Sequence, residues 1–187
     1  MTISEQKKSL RTQVRKLERE LSPTYKKATD QVIIARICAL PEYQAANTVF
    51  CFVGTEREID TVPLMEDIVR RGKRLLVPRC TGPGIMELRQ IIALSQLSAG
   101  AYGILEPQMS APVIEKTEVD FAVIPCVCGD RHGHRLGQGG GYYDRFFEKC
   151  SVPSVLVCRE AMMQEQIPVE KHDVIFDRVV TEVAVYE

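Results

Sequence analysis

The sequence predicts an α/β fold with a mostly parallel central sheet, helices on both faces, and a glycine-rich loop at the carboxyl end of a strand. Three observations support this prediction: helical and strand-like segments alternate, residues 119–127 (VDFAVIPCV) form a continuous apolar run, and a dense group of glycines follows that run. Continuous apolar runs are typical of strands that are buried on both faces of a parallel sheet. At 187 residues, the chain is expected to form one domain over residues 1–187.

The first forty residues predict two helices. The first helix carries an apolar stripe at helical spacing, and Ser4 is available as its N-cap. This stripe comprises Leu10, Val14, Leu17 and Leu21. Ser22 followed by Pro23 predicts the start of the second helix, which ends before Pro41. Its residues expected in the core are Val32, Ile33, Ile37 and Leu40.

The remaining chain predicts one βαβ unit and three later elements. The unit consists of a strand at 48–54 (TVFCFVG), a helix from Thr61 to about Arg71, and a strand at 74–78 (RLLVP). The run at 119–127 is expected to lead straight into the glycine loop. The later elements are a helix at 142–150 and strands at 153–159 and 179–185 (VVTEVAV).

Composition narrows the class of protein. A hydrophobic content of 45%, a charged content of 26% and a net charge of -1 are globular values that give no reason to expect a nucleic-acid or membrane partner. Seven scattered cysteines do not indicate a disulfide framework. Because no apolar secretory or membrane-spanning segment is found, we expect a cytoplasmic protein, with a monomer as the default state.

Residues 135–147 (RLGQGGGYYDRFF) place four glycines within five positions. Glycines at this density permit positive φ angles and let backbone N–H groups approach a ligand closely. The usual ligand of such a nest is a phosphate, although a tight turn is the alternative. The spacing fits neither G-x-G-x-x-G nor the P-loop pattern, so the loop predicts an anion site outside those two motifs.

The run GDRHGHRLGQGGGYYDR at 129–145 resembles the signature of the 5-formyltetrahydrofolate cyclo-ligase family, D-x-x-G-x-R-L-G-x-G-x-G-[YF]-Y-D. Other marks of that family occur in order along nearly the whole chain. They are the basic start at 7–11, EIDT at 58–61, YGILEP at 102–107, IPVEKHD at 167–173 and VVTE at 179–182.

The resemblance implies ATP- and Mg²⁺-dependent conversion of 5-formyltetrahydrofolate to 5,10-methenyltetrahydrofolate, with ADP and phosphate as products. Transfer of the γ-phosphoryl group to the formyl oxygen would activate the formyl carbon for attack by the second folate nitrogen. Such catalysis depends on positioning and charge neutralisation. The alternative is a regulatory module that binds a nucleotide or another anion without turnover, which would need neither two metal ligands nor a folate carboxylate.

The resemblance also implies the ATP contacts. Lys7 and Arg11 match a basic pair one helical turn apart, for which a solvated helix face is the alternative. Arg135 matches a catalytic cation near the transferring group. The implied ATP-binding residues are Lys7, Arg11, Arg135, Leu136, Gly137, Gln138, Gly139, Gly140, Gly141, Tyr142 and Tyr143.

Asp144, which is also expected to be catalytic, and Asp173 match the magnesium ligands of the family. Carboxylate oxygens suit Mg²⁺; the alternatives are an ordinary helix N-terminal residue and an ordinary turn residue. Glu58 matches a carboxylate that accepts hydrogen bonds from the folate. The implied substrate-binding residues are Val53, Glu58, Met109 and Tyr142.

The chain departs from the family pattern at residues 126–130, where CVCGD replaces the common G-V-A-F-D. Two cysteines there, Cys126 and Cys128, together with His132 and His134, have the residue types of a zinc site. Their spacing is unlike the usual zinc pattern, so buried cysteines that act as small apolar residues are favoured. The roles of Cys126, Cys128 and His172 stay open.

Overall fold

The computed structural model describes residues 1–100, 103–148 and 151–187. The described helices are α1 (Ile3–Glu20), α2 (Pro23–Ala39), α3 (Pro41–Ala45), α4 (Val62–Arg70) and α5 (Tyr142–Phe147). The described strands are β1 (Thr48–Cys51), β2 (Arg74–Gly82), β3 (Ile85–Ile91), β4 (Leu97–Ala99), β5 (Leu105–Pro107), β6 (Val113–Ile114), β7 (Phe121–Pro125), β8 (Cys128–Gly129), β9 (Arg135–Leu136), β10 (Ser154–Val157), β11 (Arg178–Val180) and β12 (Val185–Tyr186).

Eight strands form the main sheet, in the order β12-β11-β10-β7-β1-β2-β3-β6. The five strands from β11 to β2 are parallel, whereas β3, β6 and β12 are antiparallel to their neighbours. The chain continues from β1 toward one side of the sheet and from β7 toward the other, so the strand order reverses between β1 and β7. In open α/β sheets, ligands bind beyond the carboxyl ends of the strands at such a point.

Each face of the parallel strands carries its own apolar core. Ile37 of α2, Tyr43 of α3 and Ile68 of α4 belong to the core of one face. Val14 of α1 and Phe147 of α5 belong to the core of the other face. All residues of β1, β7 and β10 are buried, because both faces are covered. The predicted α/β fold, with helices on both faces, is confirmed.

Helix α1 begins earlier than predicted. Its N-cap is Thr2, and Ser4 lies inside the helix, so the prediction of Ser4 as the N-cap was wrong. The Thr2 hydroxyl accepts a hydrogen bond from the Glu5 N–H at 3.2 Å, and Glu5 Oε2 accepts from the Thr2 N–H at 2.7 Å. This reciprocal capping box pairs two N–H groups that the start of a helix otherwise leaves free.

The predicted apolar stripe of α1 was only partly right. Val14 is fully buried, but Leu17 is 43% exposed, whereas Leu10 and Leu21 are half-buried. Lys7 and Glu18 are buried on this helix instead. In α2, Val32 is exposed, which was also not predicted, while Ile33, Ile37 and Leu40 are buried as expected.

Two connections differ from the predicted path. A hairpin of β8 and β9 lies between β7 and the glycine loop, so the chain does not enter the loop directly. The predicted single strand at 179–185 is two antiparallel strands, β11 and β12. The Thr181 hydroxyl accepts hydrogen bonds from the N–H groups of Val183 and Ala184, both at 3.1 Å, and thereby forms the turn between them.

Parts of three predictions lie outside the described residues. Tyr102 belongs to the YGILEP mark, residues 149–150 belong to the predicted helix at 142–150, and Cys150 belongs to the set of seven cysteines. The six described cysteines are free thiols. Within the described ranges, none of the helices combines the length and apolarity needed to cross a membrane.

Candidate functional site

A cleft lies at the carboxyl ends of β1, β7 and β10. The segments that follow these three strands line it, together with part of α1 and one residue of the glycine loop. The lining residues include Phe52, Arg57, Glu58, Pro125, Cys126, Cys158, Arg159, Val14, Arg15, Glu18 and Gln138. The cleft therefore occupies the position where the reversal of strand order predicts a ligand.

The glycine loop brings backbone close to arginine side chains. Gly139 has a φ of 98°, which is costly for other residues, and a Cβ atom there would lie 3.5 Å from Arg11 Cζ. A Cβ atom on Gly137 would lie only 2.7 Å from Arg135 Nη1. These two glycines thus permit two cationic side chains to approach the loop. The next residues, from Gln138 to Gly140, are exposed and accessible to a ligand.

Helix α1 presents cations toward the loop and the C-terminal segment. Lys7 is 8% exposed, and its Nζ lies 2.5 Å from Asp173 Oδ2 and 3.0 Å from Glu170 Oε2. Arg11 Nε donates to the carbonyl of Gly137 at 2.7 Å. The solvated-face alternative for the basic start is therefore wrong for Lys7.

Arg15 continues this series and was missed by the sequence reasoning. Its Nη2 donates to Gln138 Oε1 at 2.6 Å, and its side chain lines the cleft. The signal was present, because Lys7, Arg11 and Arg15 follow one another at intervals of four residues, which places them along one helical face.

Arg135 contacts two predicted site residues, Asp144 and Tyr143, and the end of β7. Its side chain is 6% exposed, with Nη2 3.4 Å from Asp144 Oδ2, and Nη1 donates to the Pro125 carbonyl at 3.2 Å. Its guanidinium carbon lies 5.0 Å from the ring centroid of Tyr143, a cation–π distance. Among the described residues, no hydrogen-bond acceptor faces the buried Arg135 Nε.

Tyr143 connects the loop with the sheet. Its ring stacks on Phe50 of β1, with centroids 6.2 Å apart and an interplanar angle of 22°. Burial raises the pKa of Tyr143, and the nearby negative charge of Glu58 raises it further. The phenol therefore stays protonated at neutral pH, beside the carboxylate expected to bind the folate.

Asp173 lies in a small group of potential metal ligands. Within the part of the chain that the structure describes, its carboxylate, that of Glu170 and the His172 ring offer ligand atoms within 4.8 Å of one another. Burial acts to raise the pKa of Asp173, but the hydrogen bonds from Lys7 and from the Glu170 N–H outweigh it and lower the pKa. Among the described residues, Asp144 does not belong to this group, and its Oδ2 lies 3.4 Å from Arg135 Nη2.

Of the four residues expected at the folate, Glu58 lines the cleft. Its Oε2 accepts hydrogen bonds from the N–H of Thr55 at 3.2 Å and from the Thr55 hydroxyl at 3.0 Å. Val53 is buried in the core, Met109 is 65% exposed, and Tyr142 begins α5 half-buried. Among the residues that the structure describes, Glu58 thus lines the cleft, whereas Val53, Met109 and Tyr142 are not among its lining residues.

The four residues considered for zinc have other contacts. Cys128 is buried in the core, and the Cys126 thiol donates to the Val157 carbonyl at 3.3 Å. His134 Nδ1 lies 2.9 Å from Asp130 Oδ2. Asp130 is fully buried and also accepts from the N–H groups of His132, His134 and Ile167, so this carboxylate orients the hairpin that leads into the glycine loop.

The fold and the cleft together define a class of α/β protein. A glycine-rich loop lies on one side of the strand reversal, and a loop that carries a carboxylate lies on the other. The family model for the 5-formyltetrahydrofolate cyclo-ligase family matches residues 3–182. The chain belongs to this family, whose members are ATP-dependent ligases. The resemblance predicted from the motifs is confirmed.

Relatives and solved structures agree with this assignment. The chain is 30% identical over 180 residues to a 5-formyltetrahydrofolate cyclo-ligase of Escherichia coli K12, covering 93% of this chain and 99% of the relative. The relative in Mus musculus is 23% identical, with 97% and 96% covered. The NMR structure of Aquifex aeolicus 5,10-methenyltetrahydrofolate synthetase matches with a TM-score of 0.87 and 29% identity, covering 97% of this chain and 92% of that one.

Proposed function

We propose that the chain catalyses the ATP-dependent cyclisation of 5-formyltetrahydrofolate to 5,10-methenyltetrahydrofolate, with release of ADP and phosphate. The observation that carries this proposal is the placement of Glu58 and the glycine loop. Glu58 follows β1 and the loop follows β7, on the two sides of the strand reversal. A reaction between a folate formyl group and ATP needs both binding sites on one cleft, because proximity supplies much of the catalysis.

In the proposed reaction, the γ-phosphoryl group of ATP passes to the formyl oxygen and ADP leaves. The second folate nitrogen then forms a bond to the formyl carbon and loses its proton to the phosphate, the carbon–oxygen bond breaks, and hydrogen phosphate departs. Arg135 neutralises charge on the transferring group. The position of its guanidinium supports this role, because the group lies beside Gly137 of the loop and 3.4 Å from Asp144 Oδ2.

The phosphates of ATP would lie along the glycine loop. The exposed backbone of residues 138–140 supplies N–H donors, and Arg11, which already contacts the loop, supplies a cation. Lys7 would share its charge between the phosphates and Asp173. The proposed ATP site retains Leu136, Tyr142 and Tyr143 as the residues that flank the loop.

Mg²⁺ would be held by the carboxylates of Asp144 and Asp173, together with phosphate oxygens. The donor set fits the ion, because Mg²⁺ prefers oxygen ligands and commonly uses one or two carboxylates. When bound, the ion would neutralise phosphate charge. The lowered pKa of Asp173 supports its part, since a metal ligand must be ionised.

The folate would bind at the Glu58 side of the cleft. Its aminopyrimidine-type edge would donate to the Glu58 carboxylate, with Val53, Met109 and Tyr142 as further contacts. We also propose that the chain acts as a single domain and a monomer in the cytoplasm. Its partners would then be the two small-molecule substrates, without nucleic acid or membrane.

The activity is tested by following methenyl product absorbance and ADP in parallel. Both should appear in equal amounts when ATP, magnesium and 5-formyltetrahydrofolate are all present, and neither should appear when one of the three is omitted. Binding of ATP without product would instead identify a regulatory module.

The metal assignment makes a prediction of its own. Asp144→Asn keeps the side-chain size but removes the charge, so turnover should fall by roughly 100-fold, as for loss of one transition-state charge contact, with an unchanged melting temperature. Asp177→Asn, an exposed aspartate, serves as the matched control. Wild-type turnover of Asp144→Asn at saturating magnesium would contradict the assignment.

A further inference from the structure

Arg159, two residues after the end of β10, is a buried charge that the proposed reaction does not use. It is 4% exposed and lines the cleft. A buried guanidinium is unfavourable unless it is paired and hydrogen-bonded. The partners of this side chain therefore indicate what its burial achieves.

The charge partner of Arg159 is Asp30 of α2, which is also buried. Asp30 Oδ1 accepts from Arg159 Nη2 at 2.6 Å and from Arg159 Nε at 3.0 Å. The other carboxylate oxygen, Oδ2, accepts from the N–H of Asp60 at 3.0 Å. One oxygen thus fixes the arginine, while the other holds the loop after β1.

Arg159 holds the same loop directly. Its Nη2 donates to the carbonyl of Glu58 at 3.0 Å, and its Nη1 donates to the carbonyl of Arg57 at 3.4 Å. The ion pair therefore contacts three backbone groups of the loop, at residues 57, 58 and 60. Since residues 52–61 contain no helix or strand, side-chain contacts of this kind determine the path of the loop.

We propose that Arg159, together with Asp30, is a positioning residue for the folate site. It fixes the backbone of Glu58 so that the carboxylate, whose Oε2 is held by Thr55, remains at the cleft. This inference rests on the proposed role of Glu58 in folate binding. Arginine is required rather than lysine, because the guanidinium makes four hydrogen bonds here in a fixed planar geometry, and an ammonium has only three donors.

The test compares the Michaelis constants for folate and ATP in Arg159→Lys, Glu58→Gln and the double variant. Arg159→Lys should raise the folate constant by roughly tenfold, because small misplacements of a binding group have effects of that order or larger. The ATP constant should stay within about twofold, since the phosphate loop has its own supports. In the double variant, the folate constant should equal that of Glu58→Gln alone.

Arg178→Lys is the matched control, because Arg178 also pairs with carboxylates, Glu42 at 2.6 Å and Glu187 at 3.0 Å. It should leave both Michaelis constants unchanged. If Arg159→Lys fails to fold, Asp30→Asn replaces it, with the same expected split between folate and ATP.

Four outcomes overturn the inference. Equal rises in both constants, or additive effects in the double variant, would mean that Arg159 is merely structural. A raised folate constant in Glu58→Gln with a normal constant in Arg159→Lys would refute the positioning role alone. An unchanged folate constant in Glu58→Gln would refute the proposed folate carboxylate, and the positioning role with it.

Discussion

Helices α1 and α2 are almost equal in length, at 18 and 17 residues, but they pack on the sheet by different means. Helix α2 buries Ile33 and Ile37 completely in one core. Helix α1 buries Val14, yet the charged residues Lys7 and Glu18 are buried beside it. Helix α2 is thus fixed mainly by apolar packing, with Asp30 as a buried ion-pair partner of Arg159, whereas α1 relies largely on ion pairs and hydrogen bonds.

The difference shows how a helix can serve a site without being part of a regular core. Lys7 and Arg11 hold two segments that are distant in sequence, the C-terminal segment and the glycine loop. Helix α2 has no such contact with the loop in the part of the chain that is described. Substitutions on the apolar face of α2 should therefore affect stability, whereas substitutions at the cations of α1 should affect ligand binding.

The largest expected effect is on the stability of α2. Ile37→Ala removes a side chain with no exposed surface, and should lower the free energy of unfolding by about 2–5 kcal/mol. The Michaelis constant of the remaining folded enzyme for ATP should be unchanged. Val32→Ala, at an exposed position of the same helix, should change stability by less than about 0.5 kcal/mol.

Chemical denaturation of both variants measures this prediction. Equal losses of stability in the two would mean that the apolar face of α2 does not dominate its packing.

The second-largest expected effect is a loss of ATP affinity on substitution of a cation of α1. Arg11→Ala should weaken ATP binding by roughly 1.5–3 kcal/mol, the range for hydrogen bonds to charged groups, while the melting temperature changes little. Lys16→Ala, at an exposed position of the same helix, is the control. Titration calorimetry with a non-hydrolysed ATP analogue measures the affinity of both variants. An Arg11→Ala protein with a lowered melting temperature and normal ATP affinity would mean that Arg11 contributes to stability and not to ATP binding.

The smallest expected effect is on the pH dependence of stability. It concerns Asp67, a buried carboxylate of α4, the helix that contacts α2. Burial acts to raise its pKa, but hydrogen bonds from Tyr43 at 2.7 Å and Arg71 at 2.6 Å, with the charges of Arg71 and Arg70, lower it overall. The folded pKa thus lies below the ordinary value of 3.8. The stabilisation that the ionised Asp67 carboxylate provides is complete at pH values above the ordinary pKa. It is lost as the pH falls through the pKa of the folded state.

This pH dependence is checked by measuring the free energy of unfolding of wild type and Asp67→Asn from neutral to acidic pH. The stability difference between them should shrink below about pH 4, and kinetics at the cleft should be alike. A difference that stays constant with pH would show that the carboxylate charge contributes nothing.

Elements with strong local signals were predictable from the sequence. Ser22 and Pro23 correctly indicated the start of α2, and the apolar run at 119–127 correctly indicated a buried strand. The hairpin of β8 and β9 was missed, because strands of two residues carry no periodic signal. Likewise, Thr181 divides an apolar run through a turn that its hydroxyl forms.

The candidate site was predictable only where a motif carried it. The resemblance indicated Lys7 and Asp173, but not that their side chains would pair across 166 residues of sequence. Arg159 and Asp30, 129 residues apart, carry no motif at all. Such pairs depend on the packing of helices against strands, which the local pattern of residues does not contain.

The two ends of the main sheet, β6 and β12, are each only two residues long. A sheet edge displays backbone N–H and C=O groups with which a strand from another molecule can pair. With so few residues at either edge, such pairing would form only a few hydrogen bonds. Edge strands as short as these limit edge-to-edge pairing, even though the central strands are among the most apolar segments of the chain.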